Sequence, residues 1–212
     1  MAIDKRLSLT LLLAGGGVAA ALLYRYQIRP WHLRWGATDE EVEATLPGDD
    51  FTQNPQHQDT HAITIDASVA DVWPWLVQIG QDRGGFYSYT WLENLVGCRM
   101  RNADRILPQY QRLQTGDTIR LHPVAPPIPV GLVEQERAIV MGEREETGRM
   151  GGTWTLALEP RGDKVTRLFA RSRWKWRPGL RNWIGYYLLL EPAHFVMERK
   201  MLLGIKARAE RN

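Results

Sequence analysis

The sequence predicts an α+β fold, on three observations. An alternating segment, THAITID at residues 60–66, reads as a strand. Two short helical patterns follow it, and then a run of strand-like segments with no helix among them. A long amphipathic to apolar segment, residues 180–209, closes the chain. Strands grouped together with helices at their ends build an antiparallel sheet with helices packed on it, not an alternating βαβ array.

The chain has 212 residues, 44% of them hydrophobic, enough for one globular domain and an appendage. A net charge of +3 permits an anionic partner without demanding one. Nucleic-acid binders concentrate charge more strongly, so no nucleic-acid partner is expected. The single Cys98 excludes an internal disulfide framework. Nine tryptophans is a high number, and Trp combines a large apolar area with one polar handle, as pockets and membrane interfaces require.

Three regions are expected: residues 1–24, 25–59 and 60–210. Residues 7–24, LSLTLLLAGGGVAAALLY, carry no charge. As a helix they span roughly 27 Å, close to a bilayer core of about 30 Å. Lys5 and Arg6 precede them, and Arg25, Arg29 and Arg34 follow. The expectation is a single-pass N-terminal anchor, the arginines leaning towards a cytoplasmic C-terminal side. A cleaved signal peptide is the alternative, but the apolar run is long and lacks a clear cleavage site. Residues 25–59 read as a linker and irregular arm, and the polar, turn-rich FTQNPQHQDT at residues 51–60 is expected to make few contacts. Trp31 and Trp35 lie among arginines there, as expected near headgroups. Thr38 has the position of an N-cap for a short helix with acidic residues in its first turn.

The compact domain is expected to start near Thr60. SVADVWPWLVQIG reads as a helix capped by Ser68, with Pro74 inside it to kink it. SYTWLENLVG is a second helix ending at Gly97. DTIRLHP, VGLVEQE, RAIVMGERE, GGTWTLALEP and KVTRLFARSRWKW are strand candidates, the last two joined by a turn at PRGDK. The proline-rich HPVAPPIPVG reads as a loop. Strand parity puts Leu168, Ala170, Ser172, Trp174 and Trp176 on the core face, and Arg167, Phe169, Arg171, Arg173 and Lys175 on the other, a basic and solvated stripe. Pro192 starts the final helix or kinks a longer one.

Residues 83–97, RGGFYSYTWLENLVG, carry the most suggestive composition. Gly84-Gly85 lacks the wider glycine pattern and lysine of a phosphate loop, and no Gly-x-Ser-x-Gly elbow is present. The remaining reading is a sharp turn between helices whose aromatics either wall a cavity or pack as plain core. Candidate pocket residues are Tyr87, Tyr89, Trp91, Asn94, Arg105, His122, Trp154, Trp174 and His194. Tyr hydroxyls, Asn94 and Arg105 suit a ligand's polar group. Trp31, Trp35, Trp176, Arg177 and Trp183 are candidates for a membrane interface. Acid–base candidates are His122, His194, Glu93, Glu191, Glu198 and Arg105. His194 and Glu198 are four apart on one helix, a spacing more often found in a surface ion pair than in a catalytic one. No metal site is expected, for want of a helical His pair or a Cys cluster, and no cofactor.

ITIDASVADVWPWL, with Ile65, Ala67, Val72, Trp73 and Leu76, resembles the opening of the START-like (SRPBCC) superfamily. RGGFYSYTWLENLVG and LLEPAHFVMERKMLLGIKARAE resemble a bacterial subgroup within it, and the likeness runs over residues 34–208. The resemblance implies a helix-grip fold: a curved antiparallel sheet around a long C-terminal helix, with an apolar cavity between them. It implies binding of a hydrophobic small molecule or lipid. Two alternatives stay open: a cyclase/dehydratase-type enzyme using the same cavity, and a scaffold domain whose core is filled.

Overall fold

The computed structural model describes residues 16, 19, 22–144, 151–175, 179 and 185–211. A π-helical turn, Tyr24–Ile28, runs into α1, Arg29–His32, and α2 covers Asp39–Glu43. Then come β1 (His57–Ile65), α3 (Val69–Val77), α4 (Thr90–Leu95), β2 (Thr118–Ile119), β3 (Ile128–Glu134), β4 (Ala138–Met141), β5 (Gly152–Gly162) and β6 (Val165–Trp174). A second π-helical turn, Tyr186–Leu190, leads into the long α5, Glu191–Ala209. The six strands form one antiparallel sheet in the order β1-β6-β5-β4-β3-β2. α5 packs across β1 and α3. This α+β arrangement of curved antiparallel sheet and C-terminal helix fits a helix-grip fold.

Local signals act where the sequence places them. Thr38 caps α2 in a full capping box with Glu41, and Ser68 accepts from the Asp71 amide to cap α3. Pro74 lies within α3, and Pro192 sits in the first turn of α5, where a missing N–H is harmless. Gly97 takes φ +87° just beyond α4. The β5–β6 hairpin turns between Gly162 and Val165. Two strands differ from expectation. DTIRLHP pairs only at Thr118 and Ile119, and β3 reaches back into the proline-rich segment, pairing Pro129 with Thr118. Pro129 is tolerated because β2–β3 is the short edge of the sheet.

The core face of β6 is as parity requires: Leu168, Ala170 and Ser172 are fully buried. The opposite face is not the solvated stripe expected. Phe169 and Arg171 are buried there too, because residues 36–51 lie over it. Arg171 donates to Thr60 Oγ1, to the carbonyls of Glu41, Val42 and Ala44, and to Asp49 Oδ2 at 2.7 Å. Arg167 forks onto Glu41 at 2.9 and 2.7 Å. The arm is therefore a second cover on the sheet. Phe51, Thr52 and His57 are buried within a stretch expected to make few contacts, and β1 begins at His57, three residues before Thr60.

The predicted anchor at residues 1–24 lies largely outside the described residues. Among those described, no helix is long and apolar enough to cross a membrane. Trp176, Arg177 and Trp183 also lie outside the described residues.

Candidate functional site

The segment that drew attention in the sequence forms one wall of the interior. Gly80 and Gly85 bridge each other, closing a tight loop. Gly85 has φ +77°, and a Cβ there would fall 2.5 Å from the Arg101 carbonyl oxygen, so only glycine fits. Tyr87 follows at φ +56°. Asn102 holds this turn, its Oδ1 accepting from the Tyr87 amide at 2.7 Å and its Nδ2 donating to the Ser88 carbonyl at 3.0 Å. The turn points alternate side chains in opposite directions. Phe86 and Ser88 face a cavity, whereas Tyr87 is driven into the core and donates to the Trp75 carbonyl at 3.0 Å. Burial raises the Tyr87 phenol far above its ordinary value, so it stays neutral.

The cavity has a volume of about 460 Å3 and lies between the sheet, the 86–100 segment and α5. Its wall is mostly apolar, with Phe86, Met100, Ile128, Trp154, Trp174 and Met201 prominent. Polar side chains are few: Ser88, Glu93, Tyr186, His194 and Glu198, beside the tryptophan indoles. Of the nine pocket candidates, Trp154, Trp174 and His194 line it. The other six do not. Tyr87 is core. Tyr89 lies under Lys200, whose Nζ is 5.6 Å from the ring centroid. Trp91 points outward, 67% exposed, because α4 turns that side away from the sheet. Asn94 ties down the backbone of Met100 through two hydrogen bonds. Arg105 is exposed. His122 donates from Nε2 to the Val96 carbonyl at 3.0 Å and bridges two loops. Of the interface candidates, Trp31 is exposed, while Trp35 packs against the core beneath Arg199.

Beside the cavity runs a buried charged chain, and most of it went unread in the sequence. Its members come from α1 (Arg29, His32), from alternate positions of β1 (His57, Asp59, His61) and from successive turns of α5 (Glu191, His194, Glu198). Glu191 takes a forked pair from Arg29, both contacts at 2.9 Å, and one from His32 Nε2 at 3.0 Å. His57 Nδ1 lies 3.3 Å from Glu191, and its Nε2 meets Asp59 Oδ2 at 2.7 Å. His61 Nδ1 contacts Glu198 Oε2, and its Nε2 donates to the His32 carbonyl at 2.7 Å. Glu198 Oε1 accepts from Trp154 Nε1 at 2.5 Å and lies 3.4 Å from His194 Nε2, which also meets Ser172 Oγ at 3.0 Å.

The titration behaviour follows from these contacts. Burial favours neutral Glu191 and Glu198, but the bonded histidines, with Arg29 at Glu191, outweigh it and hold both carboxyls below their ordinary range. Burial likewise opposes charge on His57, His61 and His194. The facing carboxylates outweigh it and raise all three, His194 to about 9. The His194–Glu198 pair is not the surface ion pair that spacing alone suggested, since the carboxylate is fully buried. Glu93 is the opposite case. Burial raises its carboxyl and no cation answers it; its Oε2 is buried without a partner. A signal for the chain was present: three chemistry-bearing residues at alternate positions of HQDTH point to one strand face. It was obscured because that stretch reads as polar linker.

The sequence matches no known family and no curated protein. Similar solved structures are distant. A protein of Nitrosospira multiformis is 15% identical, covering 71% of this chain and 94% of that one, with a TM-score of 0.43. The Aha1 dimer of Colwellia psychrerythraea is 16% identical, covering 73% and 97%, with a TM-score of 0.41. CalU16 of Micromonospora echinospora is 15% identical, covering 73% and 84%, with a TM-score of 0.34.

Proposed function

We propose that the chain is a START-like domain that binds a hydrophobic small molecule or lipid in its internal cavity. The observation that carries this reading is the cavity itself: about 460 Å3 of mostly apolar-walled space with a few polar side chains, Ser88, Glu93, Tyr186, His194 and Glu198, on its wall. That volume lies within the range of small-molecule sites, and the wall composition is theirs. A filled scaffold core would leave no such space, even with nine tryptophans to occupy it. The same reading keeps residues 1–24 as a membrane anchor. Exposed Leu22 and Leu23 at its end, and exposed Tyr26, Ile28 and Trp31 just beyond it, support a bilayer or its interface as the neighbour.

The test is native mass spectrometry of the full chain. The wild type is expected to carry one apolar ligand, or to take up one apolar probe saturably. Ala193→Trp adds bulk at a solvent-accessible cavity position on α5 and is expected to abolish uptake while leaving the fold intact. Absence of saturable uptake by the wild type overturns the reading.

A second reading, a cyclase/dehydratase-type enzyme, is favoured by one specific observation. Glu93 and His194 both line the cavity, with their protonation pushed upward by different causes. A carboxyl whose hold on its proton is strengthened by burial suits a general acid for an apolar substrate. On this reading the recovered ligand is converted by the wild type, and Glu93→Gln retains it unconverted.

A further inference from the structure

We propose that Asp59, His61 and Glu198 form a binding site for one divalent transition-metal cation of the Zn2+ class, at the edge of the cavity. All three side chains are buried, and one ligating atom from each lies within 4.8 Å of the other two. They come from two rigid elements, β1 and α5, which pack directly on each other.

Each residue presents one atom to the shared point while its other polar atom is held elsewhere. His61 Nε2 must carry a hydrogen, because its partner at 2.7 Å is the His32 carbonyl, which can only accept. That fixes Nδ1 as the atom facing the carboxylates, and outer hydrogen bonds of this kind orient metal-bound imidazoles. Asp59 Oδ2 is held by His57 Nε2 at 2.7 Å. Glu198 Oε1 is held by Trp154 Nε1 at 2.5 Å. The free atoms are then His61 Nδ1, Asp59 Oδ1 and Glu198 Oε2.

Asp59 Oδ1 supplies the independent observation. It is buried with no hydrogen-bond partner, on a residue only 4% exposed, and it lies 4.0 Å from His61 Nδ1. A buried carboxylate oxygen left unanswered is costly, and a cation answers it. Ligand atoms around a tetrahedral ion at about 2.0–2.1 Å stand about 3.3 Å apart. The Asp59–His61 separation closes modestly to reach that spacing, and the His61–Glu198 contact opens. The cation takes the place of the proton now shared between His61 Nδ1 and Glu198 Oε2, which is released to solvent.

The donor set selects the ion class. One imidazole and two carboxylates suit Zn2+, Fe2+ or Mn2+; Ca2+ needs six or more oxygens. Three protein ligands leave a coordination position for water or another ligand, the arrangement of sites that act rather than merely brace. Glu198 belongs both to the cluster and to the cavity wall. The inference stands whether or not the cavity holds an apolar molecule.

The experiment is equilibrium dialysis of the chelator-stripped full chain against Zn2+, with metal content and thermal unfolding as readouts. The expected result is one retained equivalent and a raised Tm. Asp59→Asn keeps the size and the His57 contact but weakens a ligand, and is expected to lose the equivalent. His57→Gln leaves all three ligands and disturbs contacts outside them, to Asp59 Oδ2 and to Glu191, so about a 10–100-fold weaker affinity is expected. Co2+ loading of the wild type, read by its visible absorption, reports N/O coordination without any variant. Failure of the wild type to retain Zn2+ above background overturns the proposal, as does undiminished binding by a folded Asp59→Asn chain.

Discussion

Glu93 shows how one residue reports on its surroundings. An acid–base candidate on sequence grounds, it faces the cavity with no cation to match it. Its carboxyl is raised from the ordinary value of 4.5 by burial. The consequence for stability has a definite sign. Below pH 4.5 the group is neutral in both folded and unfolded chains and has no effect. As pH rises the unfolded chain ionises first, so stability falls until pH passes the folded value. Glu93→Gln removes this loss. The variant is expected to be more stable than wild type at pH 7 and indistinguishable from it below pH 4, as measured by denaturant unfolding across that range.

Helix α5 shows the element scale. Its polar and apolar residues are not sorted into two simple faces, because it is gripped rather than laid on a surface. One side buries Phe195, Met201, Leu202 and Ile205, while Glu191 and Glu198 feed the charged chain from the same helix. Close approach is set by Gly204, where an added Cβ would stand 2.3 Å from the Tyr87 carbonyl oxygen. Gly204→Ala gains up to about 1 kcal/mol of helix propensity. Overpacking against main chain costs about 1–3 kcal/mol, and the obstacle here is backbone held by Asn102, which yields little. A net loss of stability is expected, seen as a lower Tm, together with altered cavity occupancy because the displaced turn carries Phe86 and Ser88.

At the scale of the whole molecule, the arm and the sheet are one unit. Arg171 is fully buried on the sheet face that the arm covers, and most of its partners lie on residues 41–49. Arg171→Ala takes the donor from three carbonyls and one of two cations from Asp49, which keeps Arg173 at 3.2 Å and the Leu46 amide at 2.9 Å. Breaking a buried pair in this way costs about 3–5 kcal/mol. Chemical denaturation of this variant is expected to show that loss, with the arm becoming sensitive to proteolysis first. Much of the fold was legible in the sequence because its signals are local. The caps at Thr38 and Ser68, Pro192 in the first turn of α5, the turn after Gly162 and the alternation of β6 act over a few residues. The site was only partly legible. Trp174 follows from strand parity and His194 from its place on the final helix, whereas Tyr87 and Trp91 depended on which way a strained turn and a short helix faced. The sequence by itself determined the order of elements and the two faces of β6, since backbone propensity and side-chain alternation are properties of neighbouring residues. Tertiary structure alone decided that a basic face would be covered, and that His61 would meet Glu198 across 137 residues of chain. Burial and electrostatic pairing belong to whatever the folded chain brings together, and no local pattern encodes that.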